Sequence, residues 1–157
     1  MRDTEFLRYL KDKDAIEKLI FAYATALDQR NLHLLISMAT DNLHFNYGGV
    51  VEGDTPDAWV AMIQSNLGGC GPSQHLFSNV RISTDYSASV DSASVDFYGR
   101  VMHAGKAEER EILFDFWGEY QCKLLRVATD THQGWRFCDV KQRPFHFTGD
   151  MNILKSE

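Results

Sequence analysis

The chain has 157 residues, 44% of them apolar and 24% charged, with a formal net charge of −6. That length suits one domain around one core and is short for two. Lys and Arg form no cluster of the kind that grips a phosphate backbone, which excludes nucleic acid as a partner.

No apolar run approaches the roughly 20 residues of a membrane span, and the charged opening "MRDTEFLRYLKDKD" lacks the apolar core of a secretion signal. Both features point to a soluble chain of the cytoplasm with no membrane partner. Cys70, Cys122 and Cys138 are odd in number and widely spaced, without C-x-x-C. They read as free thiols rather than a disulfide framework or zinc knuckle.

The predicted elements begin with a helix over residues 13–30, where Ile16, Leu19, Ile20, Tyr23 and Leu27 recur at the spacing of one buried face. Its last turn carries Asp28, and the unpaired carbonyls there disfavour a carboxylate by ~0.3–1 kcal/mol. "NLHLLISMAT" (31–40) is a second, shorter helix, and "DNLHFNYGGVVEG" alternates around two glycines like a hairpin. Thr55 as N-cap with Pro56 at the first helical position opens a third helix, which "LGGCGP" (67–72) ends.

Beyond residue 73, "SQHLFSNVRIST", "SASVDFYGRVMHAG", "REILFDFWGEYQCKLLRVATD" and "GWRFCDVKQRPFHF" are strand-like and separated by short turns, an antiparallel meander. Gly118, midway along the third, marks a bulge or bend. The order gives an α+β fold. Helices pack on a strongly curved, mostly antiparallel sheet to form a cone-shaped α+β barrel that encloses a pocket, one domain over 1–157 with its core at about 10–148. Ten Phe, six Tyr and three Trp are enough to build the core and also line a pocket for a hydrophobic small molecule.

The succession "AIEKLIFAYATALDQRNLHLLISMATDNLHF", "VEGDTPDAW", "SQHLFSNVRIS" and "GWRFCDV" resembles the SnoaL-like branch of the nuclear transport factor 2-like superfamily over roughly residues 10–148. That branch holds scytalone dehydratase, bile acid 7α-dehydratases, hexachlorocyclohexane dehydrochlorinase and polyketide cyclases. In its dehydratase-like members a helix-borne Tyr and Asp face a His on the sheet. The resemblance thereby implies catalytic roles for Tyr23, Asp28 and His75, and substrate contact for Tyr47. His103 matches a second histidine on the next strand, and the late arginine of the dehydrochlorinase-like members corresponds to Arg143 or to Arg136.

Each of these residues also has a plain structural role open to it. Asp28 could face solvent, His75 could be a satisfied core histidine, and Tyr23 could be a buried aromatic of the helix stripe. His75, Phe77 and Asn79 alternate with Leu76, which puts the three on one strand face and adds Asn79 to the substrate-binding candidates. A carboxylate beside His75 would fix its tautomer and support its protonated form.

No histidine spacing suggests a metal, and "GGCGP" lacks the context of a phosphate loop, so no cofactor is expected and the loop reads as a flexible entrance. The expected activity is a cofactor-independent lyase or isomerase of the dehydratase kind. The alternatives are a non-catalytic binder or scaffold, like the small subunit of ring-hydroxylating dioxygenases, and an epoxide hydrolase using Asp96 and Arg100. Phe97, Val101, Phe114, Phe116 and Trp117 cannot all fit one small cone, which favours a homodimer or homotrimer.

Overall fold

The computed structural model describes residues 3–129 and 131–155; Met1, Arg2, Asp130, Ser156 and Glu157 lie outside the described residues, and with them the start of the charged N-terminal stretch and the first residue of the turn at 130–134. Helix α1 (Asp3–Asp28) is followed by α2 (Leu32–Ser37), strands β1 (Ala39–Tyr47) and β2 (Val51–Asp54), and helix α3 (Pro56–Leu67). Strands β3 (Ser73–Asp85), β4 (Ser92–Ala104), β5 (Leu113–Arg126) and β6 (Trp135–Gly149) complete the sheet. None of the described helices is long and apolar enough to cross a membrane.

The helical stripe on α1 is buried as its spacing demands: Ile16, Leu19, Ile20, Tyr23 and Leu27 all face the sheet. The helix ends at Asp28 rather than residue 30, because Arg30 turns into left-handed backbone (φ 56°) and breaks the hydrogen-bond ladder. Asn31 then caps α2, accepting from the Leu34 N–H, and α2 stops at Ser37, where the chain enters β1. Thr55 caps α3 through the Ala58 N–H, with Pro56 opening the helix.

The strands lie in the order β2-β1-β6-β5-β4-β3. Every pairing is antiparallel except β1 with β6, which is parallel. The sheet curls around the helices without closing, so β2 and β3 remain as edges. It is a cone-like α+β fold open along one side, and not a sealed barrel.

Register shifts supply the curvature. One falls between Trp117 and Gly118, where a side chain on Gly118 would lie 2.3 Å from the Phe116 ring and 2.7 Å from the Arg143 carbonyl. Another falls between Ser78 and Arg81, where two residues of β3 oppose one of β4.

Phe97, Val101, Phe114 and Phe116 all point into the cone and are buried. Trp117, between Phe116 and Gly118 on β5, is on the outer face, against Arg100 and His146. At the other end of the cone Asp12, buried on α1, accepts hydrogen bonds from Arg126, from the Tyr86 hydroxyl (2.8 Å) and from the Trp135 indole (3.3 Å), which ties helix to sheet.

Candidate active site

Strand β3 is an edge, so its outward backbone N–H groups need partners other than a neighbouring strand. The end of α1 lies against this edge, and Asp28 takes up one such group: its carboxylate accepts from the His75 backbone N–H at 3.0 and 3.2 Å. The same carboxylate stands 2.6 Å from His75 Nδ1. A carboxylate only accepts, so His75 Nδ1 is the donor of this bond, and Nε2 is the ring nitrogen left to act on a ligand in the cavity.

The unfavourable position of a carboxylate at a helix C-terminus is offset two residues later. Arg30 Nη1 donates to the carbonyls of Leu27 (2.7 Å) and Asp28 (3.3 Å), placing a cation on the end of the helix.

The cavity between α1, α3 and the sheet holds about 340 Å³, at the small end of the range for ligand pockets. Leu27, Ile63, Leu67, Val101, Phe114, Phe116 and Leu154 make most of it apolar, while exposed Val50, Phe147 and Met151 stand at its mouth. His75 and His103 form one polar end, their rings 5.7 Å apart. His103 is buried; burial first, then His75 and Arg30, lower its pKa to about 3, so it is neutral near neutral pH.

Tyr23, Tyr47 and Tyr120 form a second polar group in the lining. The Trp59 indole N–H donates to the Tyr47 hydroxyl (3.0 Å), and a single O–H joins Tyr47 to Tyr23 (2.8 Å). Two phenolic protons serve one hydrogen bond, so one remains for a ligand whichever tyrosine donates. Gln142 Nε2 donates to the Tyr120 hydroxyl (2.9 Å), which leaves that proton available as well. Burial raises the pKa of all three, to about 12 for Tyr47 and well above 10.0 for Tyr23, and keeps them neutral donors.

Of the residues singled out in the sequence, Tyr23, Tyr47, His75 and His103 share this cavity, with Asp28 behind His75. Asn79 and Arg143 do not line it. Asn79 sits in the β3 bulge with φ 53° and an exposed side chain, because the extra residue ends the alternation that began at His75. Arg143 projects from the outer face to Glu119 (2.7 Å) and over the Phe145 ring, while its neighbours Gln142 and Pro144 face inward. Arg136 is held by the carbonyls of Thr131 and Trp135. Asp96 and Arg100 alternate with inward Phe97 and Val101, which puts both on the face away from the cavity.

The loop at 67–72 is strapped down: Arg30 Nη2 donates to the Gly71 carbonyl and Lys106 to that of Gly68. Among the described residues no three His, Cys, Asp or Glu side chains gather as a metal site would require.

Tyr120, Gln142, Arg30 and Ser73 were missed. Tyr120 shares the parity of Phe114 and Phe116 on β5, and Ser73 that of His75 on β3, so strand alternation carried a signal for both. Nothing local in the sequence shows that Arg30 Nη2 reaches Gly71 and Ser73, which lie 41 and 43 positions away.

The SnoaL-like domain family matches residues 8–141 by sequence. No curated protein matches the chain. Solved structures share its fold. A candidate scytalone dehydratase from Novosphingobium aromaticivorans DSM 12444 is 19% identical with a TM-score of 0.76, covering 96% of this chain and 92% of that one. A candidate aromatic ring hydroxylase, also from Novosphingobium aromaticivorans, is 19% identical with a TM-score of 0.78, covering 93% and 98%. The hexachlorocyclohexane dehydrochlorinase LinA-type3 from Novosphingobium barchaimii LL02 is 19% identical with a TM-score of 0.69, covering 92% and 93%.

Proposed function

The chain belongs to the SnoaL-like domain family, and on that premise we propose that it is a cofactor-independent lyase or isomerase of the dehydratase kind, acting on a hydrophobic cyclic small molecule. The observation that carries the proposal is the Asp28–His75 pair, joined at 2.6 Å, with the histidine on the wall of an apolar cavity. His75 Nε2 takes the proton from a carbon next to a carbonyl, and Asp28 balances the charge of the imidazolium that forms. The free hydroxyl protons of the Tyr23–Tyr47 pair and of Tyr120 hydrogen-bond the carbonyl oxygen as negative charge gathers on it.

In a dehydration the enolate then re-forms its carbonyl, a carbon–carbon double bond closes, and the bond to the β-hydroxyl breaks. The proton held by His75 leaves with that hydroxyl as water, so atoms and charge balance without a cofactor. An isomerisation returns the same proton to another carbon.

A scaffold subunit of this fold has no use for an open cavity with an aligned acid–base pair, and that alignment favours the enzyme. Mass spectrometry of small molecules released from the purified protein, followed by turnover of cyclic β-hydroxy ketones monitored by enone absorbance, tests the reading. Conversion dependent on His75 supports it. A bound hydrophobic ligand that is never converted, together with no conversion of any β-hydroxy ketone, replaces it with a binding function.

A further inference from the structure

Beside the Asp28–His75 pair runs a second chain of hydrogen bonds. Arg30 Nη2 stands 2.8 Å from Ser73 Oγ, and Ser73 Oγ stands 2.7 Å from His103 Nδ1. A guanidinium only donates. Ser73 therefore accepts from Arg30 and has its own hydroxyl proton to place. The other candidate acceptor, Cys70 Sγ, is 3.6 Å away and a weak one, and its S–H is directed to the Leu67 carbonyl at 3.4 Å. His103 Nδ1, at 2.7 Å, is the nearer and stronger acceptor for that proton. A neutral imidazole that accepts at Nδ1 carries its hydrogen on Nε2.

We propose that Arg30 and Ser73 are positioning residues that hold His103 with its proton on Nε2, so that the cavity wall offers a base at His75 and a hydrogen-bond donor at His103 side by side. The two histidines are fixed in opposite tautomers by opposite partners: a carboxylate, which must accept, at His75, and a hydroxyl that accepts from an arginine and donates onward at His103. Burial keeps His103 neutral, so it polarises a ligand oxygen as a donor without competing for the proton that His75 takes.

Arg30 occupies left-handed backbone, φ 56°, a conformation that glycine adopts more readily. An arginine there gives up backbone comfort for a side chain that reaches the helix end, the Gly71 carbonyl and Ser73 together. The role assigned to His103 as donor to a leaving or carbonyl oxygen rests on the lyase reading; the tautomer itself does not.

Long-range 1H–15N NMR of protein labelled at histidine reads which ring nitrogen holds each proton and needs no ligand; His75→Gln and His103→Gln variants assign the signals. The expected result is a protonated Nε2 and bare Nδ1 at His103, with the reverse at His75. Ser73→Ala converts the His103 signals to a mixture of tautomers, and Arg30→Gly, which suits the backbone at that position, does the same with the fold retained. Neither variant changes the His75 pattern. A proton on Nδ1 of His103 in the unmodified protein, or a His103 pattern unmoved by both variants, overturns the proposal. A proton on Nε2 of His75 instead overturns the base assigned in the lyase reading and leaves the His103 result standing.

Discussion

Replacing Asp28 by Asn tests the pair on which the catalytic reading depends. The asparagine is nearly the same size, and its amide oxygen can still accept from the His75 backbone N–H, so the helix keeps its seat on the sheet edge. What disappears is the negative charge beside a ring that becomes positive in the transition state. The His75 side chain is 6% exposed and that of Asp28 27%, so the pair is shielded more like a protein interior than like water. With charge centres ~4 Å apart and an effective dielectric of about 20, the attraction is about 4 kcal/mol; solvent reaching Asp28 lowers that to about 3 kcal/mol.

Each 1.36 kcal/mol is tenfold in rate, so kcat should fall by roughly 10²–10³-fold. An amide that turns its NH2 group toward Nδ1 also selects the wrong tautomer and deepens the loss. Stability should fall by only about 1 kcal/mol, the difference between a charge-assisted and a neutral hydrogen bond, or roughly 2–4 °C in Tm for a chain of this size. Steady-state kinetics on the substrate found by mass spectrometry, beside a thermal melt, checks both. A variant that turns over at the original rate refutes the acid–base role of the pair.

Asp12→Ala removes the acceptor of the Trp135 indole and of the Tyr86 hydroxyl while Arg126 keeps Asp91 as a partner, and should cost about 1–3 kcal/mol of unfolding free energy, read as a lower urea midpoint. His103 has a folded-state pKa of about 3 against 6.5 unfolded. The unfolded chain therefore binds the extra proton first, and stability falls as pH drops through that window. The loss should reach about 2–3 kcal/mol near pH 4.5. Urea titrations should show a shallower acid slope for His103→Gln; equal slopes would remove His103 as the cause. Gly118→Ala forces a methyl group against the Phe116 ring and should cost about 1–3 kcal/mol while pressing that ring into the cavity, seen as a lower Tm and weaker ligand binding.

Local patterning made much of the architecture legible. The stripe from Ile16 to Leu27, the Thr55–Pro56 start, the β3–β6 meander and the kink at Gly118 each follow from a repeat or a single residue whose preference no distant contact reverses. The failures share a cause. Strand alternation puts Asn79 in the cavity only if it runs unbroken through residue 79, and the bulge there is set by how two strands must twist to fit one sheet, not by the residue in it. Phe97, Val101, Phe114 and Phe116 likewise share one cone because the rings pack on one another, Phe97 stacked on Tyr120 with centroids 5.0 Å apart, a fit that depends on the folded sheet.

The site divides along the same line. By itself the sequence determined a buried apolar stripe that includes Tyr23 and ends in an acid, and a histidine on an aromatic strand; backbone periodicity and the exclusion of apolar groups from water are enough to say so. Only the tertiary structure decided that the acid meets the imidazole 47 positions later, that Arg30 neutralises the helix end while steering Ser73, and that Arg143 faces outward. Those facts depend on which edge N–H the folded sheet leaves unpaired and where the helix end comes to rest against it, and no local preference encodes either.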